Sequence, residues 1–322
     1  MKPPLLHFYG IHPSDVFGFS IGVDPIFPPR KCLLDCITCP LGKDVVFPRD
    51  FKIYVNSAQI SQSLNRYIDN EVRITKRAPI YVWGFGDPLL ISNIDEVVFG
   101  VRKIFSERGM EISMYLHSSG LTLTRIMGKE KLINEIDHIL VPFMWCSEDP
   151  FTNGWPQEFS IGSYIEILRL FNRIYPDKVV LELPVFRSGD RFYPSLANVD
   201  EVILCIEKTS VHRVLVKPLK RPSIGHEAKD VSLKYIEQVK KALGEHGIDI
   251  INKLEDSLGS IKLNITNAYE ILYNHLLRKP LRHEEISLVY GDLGILALHN
   301  LLEKAIVTRI NWSGKIFFKG IY

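Results

Sequence analysis

The sequence predicts an α/β protein: an open, mainly parallel partial barrel of six βα units, followed by a small domain of three helices and a hairpin. Short apolar runs rich in β-favouring residues alternate with longer stretches of helical spacing, the pattern of strands laid side by side in parallel. Right-handed crossovers curl such a series towards a barrel. After Pro222 the alternation stops, and helical segments lead to a turn signal between two short strands. A chain of 322 residues, 46% hydrophobic, can bury one large core and a small appended one. The expected division is 1–225 for the barrel, 226–263 for a helical connector and 264–322 for the tail domain.

Taken in order, a Pro-rich aromatic entry leads to strand Phe19 to Val23, which Asp24-Pro25 and Pro28-Pro29 stop. A loop with three cysteines follows, placed just after a strand end, where barrel enzymes carry their chemistry. Ile60, Leu64 and Ile68 give Ser57 to Ile74 a helical period. Ile80 to Trp83 is a buried strand, ending in Gly84-Phe85-Gly86-Asp87-Pro88-Leu89. Two glycines there let the backbone approach a ligand closely, and strand-end carbonyls can accept from an ammonium group; an ordinary strand-to-helix turn has the same composition.

Helix Ile94 to Arg108, strand Ile112 to Leu116 and the turn His117-Ser118-Ser119-Gly120 come next. His117 reads as a strand-end histidine without a catalytic role. Helix Leu132 to Ile136 and strand His138 to Phe143 run into Met144-Trp145-Cys146, where Cys146 is either a small buried hydrophobe or a substrate-facing thiol. Helix Ile161 to Ile174 precedes strand Val179 to Val185. Within it Glu182 faces away from Leu181 and Leu183, and points into the barrel if those leucines pack on the outer helices. Arg187, Asp190 and Arg191 follow as a charged loop, open to substrate contact or to solvent.

Helix Val199 to Glu207 leads to strand Val211 to Pro218 and the basic exit Lys217-Pro218-Leu219-Lys220-Arg221-Pro222, either a phosphate or carboxylate holder or a solvated rim. Beyond it lie helix Val231 to Leu243, a connector from Ile248 to Leu263, then helices Ala268 to Leu277, Glu284 to Val289 and Gly294 to Lys304. Strands Ile306 to Ile310 and Lys315 to Lys319 flank Asn311-Trp312-Ser313-Gly314 as a hairpin. Three helices and a hairpin form a winged-helix-like arrangement. Its last helix, mostly Leu, Ala, His and Asn, is a poor reader of phosphate, which favours protein or substrate docking over DNA.

The cysteines carry the chemistry. Cys32, Cys36 and Cys39 are spaced C-x3-C-x2-C. Three thiolates on an iron-sulfur cube leave one iron with an open coordination site. Structural zinc needs a fourth ligand from a second cluster, and Cys146 and Cys205 are isolated. An odd cysteine count without a signal segment disfavours a disulfide framework. The formal charge of +2 offers no global polycation to a nucleic acid. No run approaches the roughly 18 apolar residues of a membrane span, so the expected place is the cytoplasm, whose reducing conditions keep thiols free.

With its flank Ser20 to Pro25, the upstream Tyr9-Gly10-Ile11-His12-Pro13-Ser14 and the exit Leu41-Gly42, this motif resembles the radical S-adenosylmethionine (radical SAM) superfamily, in the wyosine-synthetase-like branch. The resemblance implies a partial (β/α)6 TIM-like barrel, a 4Fe-4S cluster on Cys32, Cys36 and Cys39, and S-adenosylmethionine bound by Thr38, Gly84, Phe85, Gly86, Asp87, Pro88 and Ser119. It implies reductive cleavage of that cofactor to a deoxyadenosyl radical, fed by a flavodoxin- or ferredoxin-like donor. Asp87 stands where the family usually has Glu, and Thr38 where it commonly has an aromatic residue. Cys146, Glu182, Arg187 and Lys217 are the substrate candidates. A tRNA base, a protein or peptide, and a small metabolite all remain open as substrate; authentic wyosine synthetases usually carry a further set of cysteines upstream, and here none precedes Cys32. The competing reading is a non-enzymatic iron-sulfur sensor that binds nucleic acid through its winged helix.

Overall fold

The computed structural model describes residues 2–42, 47–48, 50–74, 77–144, 160–254, 261–263 and 266–322. An entry strand, β1 (Phe8–Ser14), runs antiparallel to β2 (Gly18–Val23), with a register shift between Tyr9 and His12. The sequence expectation held β2 and missed β1, because Gly10 and Pro13 interrupt its pattern.

From β2 the chain alternates as predicted. Helix α1 (Ser57–Glu71) is capped by the Asn56 side chain, which accepts from Gln59 N, and buries Ile60, Leu64 and Ile68; β3 (Val72–Ile74) follows it. Strand β4 (Ala78–Val82) leads to α2 (Ile94–Ser106), whose first turn holds Asp95 and Glu96 against the positive end of its dipole. Then come β5 (Ile112–His117), α3 (Glu130–Asn134), β6 (His138–Pro142) and α4 (Ile161–Ile174), the last opened by a Ser160–Ser163 capping box. Strand β7 (Val179–Ser188) turns into β8 (Arg191–Tyr193), and α5 (Val199–Thr209) precedes β9 (Arg213–Pro218).

Strands β2, β4, β5, β6, β7 and β9 pair in parallel in that order, the six expected. The segment expected as a helical connector adds more. After β10 (Ala228–Lys229) and α6 (Leu233–Glu245), the short β11 (Asp249–Ile251) joins β9 in parallel as a seventh strand. Three residues are too few to show a strand period, so the sequence pattern hid it.

The sheet is curled and open, with β1 at one end and β11 at the other. Its outer face packs Ile21, Ile80, Met114, Leu181 and Val214 against the helices. Its inner face gathers Tyr9, Phe17, Tyr81, Trp83, Tyr115 and Leu215 into a separate aromatic-rich cluster. Val179, Leu181 and Leu183 face outward, so strand parity turns Glu182 inward, as expected.

After β12 (Ile261–Leu263), the tail begins with α7 (Ala268–Arg278), buried from Ile271 to Arg278 around its whole circumference. A helix with no polar face needs neighbours on every side. Asn274 bonds Leu6 N at 2.8 Å and Pro4 O at 2.9 Å, while Lys319 donates to Leu277 O at 2.6 Å. Strands β13 (Leu281–Arg282), β14 (Val307–Trp312) and β15 (Lys315–Gly320) form a three-stranded antiparallel sheet beside the helical segment α8 (His283–Glu303). The two helices expected here are both present, since Gly291, at φ 58° and ψ −154°, leaves the helical region and divides α8 into two. Ser313 and Gly314, at φ 50° and 74°, make the hairpin turn where the sequence put it.

Candidate active site

A cavity of about 680 Å³ opens at the C-terminal ends of the strands. One end is built by backbone. The cysteine loop leaves β2 through Asp24 and docks on the end of β4. Lys31 N donates to Phe85 O at 2.7 Å, and Asp87 N donates to Lys31 O at 3.1 Å. Both glycines exist for this closeness: a Cβ on Gly86 would stand 1.8 Å from Lys31 O, and one on Gly84 would stand 1.9 Å from the Asp24 carboxyl carbon. The first contact these glycines permit is thus between the two loops. Gly84 O, at the cavity wall, accepts from Gly86 N at 2.8 Å and keeps one lone pair.

Cys32, Cys36, Cys39 and Thr38 line this end with Asp87 and Ser119. The loop is braced from behind, where Ser223 Oγ donates to Ile37 O and, at 3.2 Å, to Cys39 O. Burial lifts the Cys32 thiol to about 12, with the Asp87 carboxylate adding to it, and pushes Cys36 well above the ordinary value. Such thiols become ligands when a cation replaces their protons. Arg30, buried and paired with Asp35 at 2.8 Å, adds positive charge nearby. Among the described residues no three His, Cys, Asp or Glu side chains converge on one ion. A cube fits this donor set, since its three thiolates bind three different irons and stand apart. Cys205 is buried in the α5 core, and Cys146, with Trp145, lies outside the described residues.

Asp87 is turned inward to the protein. Its Oδ2 accepts from Ser119 N at 2.9 Å, Ser119 Oγ at 2.6 Å and Thr122 Oγ1 at 2.7 Å, and Oδ1 accepts from Leu89 N at 2.9 Å. The short side chain therefore locks the Ser118–Thr122 turn after β5 to the turn after β4. Phe85 and Pro88 are buried, and Thr38 Oγ1 approaches Met144 Sδ at 3.7 Å.

The far end is built by side chains. Glu182 lies between two partners, Lys217 Nζ at 2.8 Å and His117 Nε2 at 3.1 Å. Burial works to raise its pKa, but Lys217 and His117 overrule it and carry the carboxyl down to about 2. His117, expected to be idle, thus belongs to the site. Lys220 pairs with Asp15, and Arg221 holds Glu285 at 2.7 Å. The basic exit is a set of ion pairs, one partner each. Arg187 does not line the cavity; it stands in the ladder that β7 makes with β8 and β10.

Sequence reasoning missed what α7 contributes. Arg278, fully buried, donates to Asp24 Oδ2 at 2.7 Å, and Asp24 in turn accepts from Phe85 N at 3.1 Å. Burial raises the Asp24 pKa and Arg278 opposes it. Lys279 follows, its Nζ over the rings of Tyr81 at 4.7 Å and Trp83 at 5.0 Å. A lone Arg-Lys pair ending a helix carries no sequence signal of this kind.

No family model matches the chain. A UPF0026 protein of Synechocystis sp. is 31% identical over 96 residues, which span 30% of this chain and 34% of that protein, so the match covers about a third of the relative. A UPF0026 protein of Helicobacter pylori is 21% identical over 308 residues, 95% of this chain and 94% of that one. Among solved structures, histidine-tagged anSMEcpe with bound AdoMet superposes with a TM-score of 0.42 at 12% identity, covering 71% of this chain and 63% of that one.

Proposed function

We propose that this chain is a radical S-adenosylmethionine enzyme of the wyosine-synthetase-like branch that its flanking residues resemble. One observation carries the reading: the three cysteines, the glycine-bridged strand end and Ser119 open onto one cavity, at the strand ends of a curled parallel sheet. A 4Fe-4S cluster held by Cys32, Cys36 and Cys39 would supply the electron that splits S-adenosylmethionine into methionine and a hydrogen-abstracting deoxyadenosyl radical. The chain's share is positioning. In this reading Gly84 O, which lines the cavity, accepts from the ammonium group of the cofactor, and the Asp87-locked turn presents Ser119. Trp83 and Tyr81 wall the cavity with apolar surface and exclude water. Glu182, Lys217 and His117 face the substrate side.

We read 264–322 as a winged-helix-like domain, which its helix–strand–helix–hairpin order supports, and 226–263 as the link to the barrel. The donor is a flavodoxin- or ferredoxin-like protein of the cytoplasm. No described helix is long and apolar enough to cross a membrane.

The test is anaerobic reconstitution with iron and sulfide, then dithionite and S-adenosylmethionine, with an assay for 5′-deoxyadenosine. Product from the wild type and none from Cys36→Ala supports the reading. No product from a chain carrying a full cluster shifts it to an iron-sulfur sensor.

A further inference from the structure

We propose that Lys279 is the anchor for the carboxylate of a small organic substrate, held at the far end of the cavity with its apolar body against Trp83 and Tyr81. The inference rests on the catalytic reading only in placing that substrate, since the subsite is complete without the cysteines.

Unopposed charge singles out Lys279. The other lysines and arginines that line the cavity have carboxylates: Lys217 has Glu182, Arg221 has Glu285, Arg282 has Glu284 at 3.0 Å, Lys220 has Asp15, Lys240 has Glu237 and Arg30 has Asp35. Among the described residues no carboxylate lies within ion-pair distance of Lys279 Nζ, and no hydrogen bond from it is formed. Its neighbours are the faces of Tyr81, Trp83 and, at 5.9 Å, Tyr9. Ring faces attract an ammonium by less than a buried charge needs.

The groups around it do not supply the missing anion. His12 on β1 and His275 on α7 bond each other at 3.1 Å, and both are held neutral by burial, then by Lys279 and Arg221. Burial, then Lys217 and Arg221, depress the Lys279 pKa well below the ordinary value, with Glu182 opposing. One missing negative charge fits a carboxylate; a phosphate dianion brings one too many. Aromatic walls on two sides fit an organic body rather than a bare ion. The ammonium form binds, so affinity falls as pH rises through the Lys279 pKa, and a bound carboxylate lifts that pKa.

The experiment uses the full chain and reads Lys279 directly, by competitive acetylation and mass spectrometry across pH, with phenylacetate and phenylacetamide as probes. Expected are a Lys279 midpoint below that of the exposed lysines, about tenfold protection by saturating phenylacetate, and none by the neutral amide. Phenylacetate binding by calorimetry should vanish in Lys279→Met, survive in Lys279→Arg and be unchanged in Lys220→Met. Cys36→Ala should bind as the wild type does, so a failed deoxyadenosine assay leaves this result standing. Equal protection by acid and amide, no protection by either, or wild-type binding in Lys279→Met overturns the proposal. If Lys279→Met does not fold, loss of binding in Lys279→Gln with an unchanged circular dichroism spectrum decides in its place.

Discussion

The two ends of the cavity are made in opposite ways. At the cysteine end, backbone does the work: two short segments, 31–39 and 84–87, touch through amides and carbonyls, and glycines allow the approach. At the Lys279 end, side chains from β5, β7, β9 and α7 meet across the inner face, each with a partner far away in sequence. The first kind of site tolerates no added atom. The second tolerates change only if charge stays balanced, because the groups are buried and their pairing sets the cost.

Arg278 links the two ends, and its loss is the largest effect expected. Arg278→Met leaves Asp24 charged, buried and without its guanidinium, a cost of about 3–5 kcal/mol in a denaturant melt. The double change Asp24→Asn with Arg278→Met should recover much of it. An additive double mutant would mean that the ends are not linked. Next, Gly86→Ala forces Lys31 O away and should cost about 3 kcal/mol while abolishing the iron-sulfur absorbance of the reconstituted protein. A reconstituted spectrum equal to the wild type would remove the backbone account of that end.

Glu182 sharpens the comparison through pH. Its folded pKa near 2 lies below the ordinary 4.5, so its contribution to stability is full above 4.5 and is lost as pH falls towards 2. The difference is at most about 3 kcal/mol, since solvent reaches Lys217, whose side chain is 43% exposed. Glu182→Gln should flatten the acid limb of the stability curve. A wild-type acid limb in that variant would show that the pair contributes nothing. The smallest effect is Lys220→Met at the exposed rim, under about 0.5 kcal/mol by thermal melt. A larger loss there would place the balanced-charge rule at the rim as well as the interior.

The helices and parallel strands were legible because burial imposes a period on them: outward Leu181 and Leu183 alternate with inward Glu182, and Ile60, Leu64 and Ile68 repeat on one face of α1. Strands β1 and β11 were not, one broken by Gly10 and Pro13, the other three residues long. The glycine-rich turn was legible as a close approach, though its partner within the chain, Lys31 O, was not. Asp87 was singled out by position, yet its bonds to Ser119 and Thr122 depend on how the turn after β5 meets the turn after β4.

By itself the sequence determined the six alternating βα units, the cysteine spacing and the hairpin turn at Ser313 and Gly314, because each rests on contacts within a few residues. Tertiary structure alone decided that α7 would be buried on all sides, that Arg278 would reach Asp24, and that Lys279 would stand over Tyr81 and Trp83 with no carboxylate beside it among the described residues. Those contacts join residues about 200 or more positions apart, and a charge carries no mark in the chain of which distant group will balance it, or that none will.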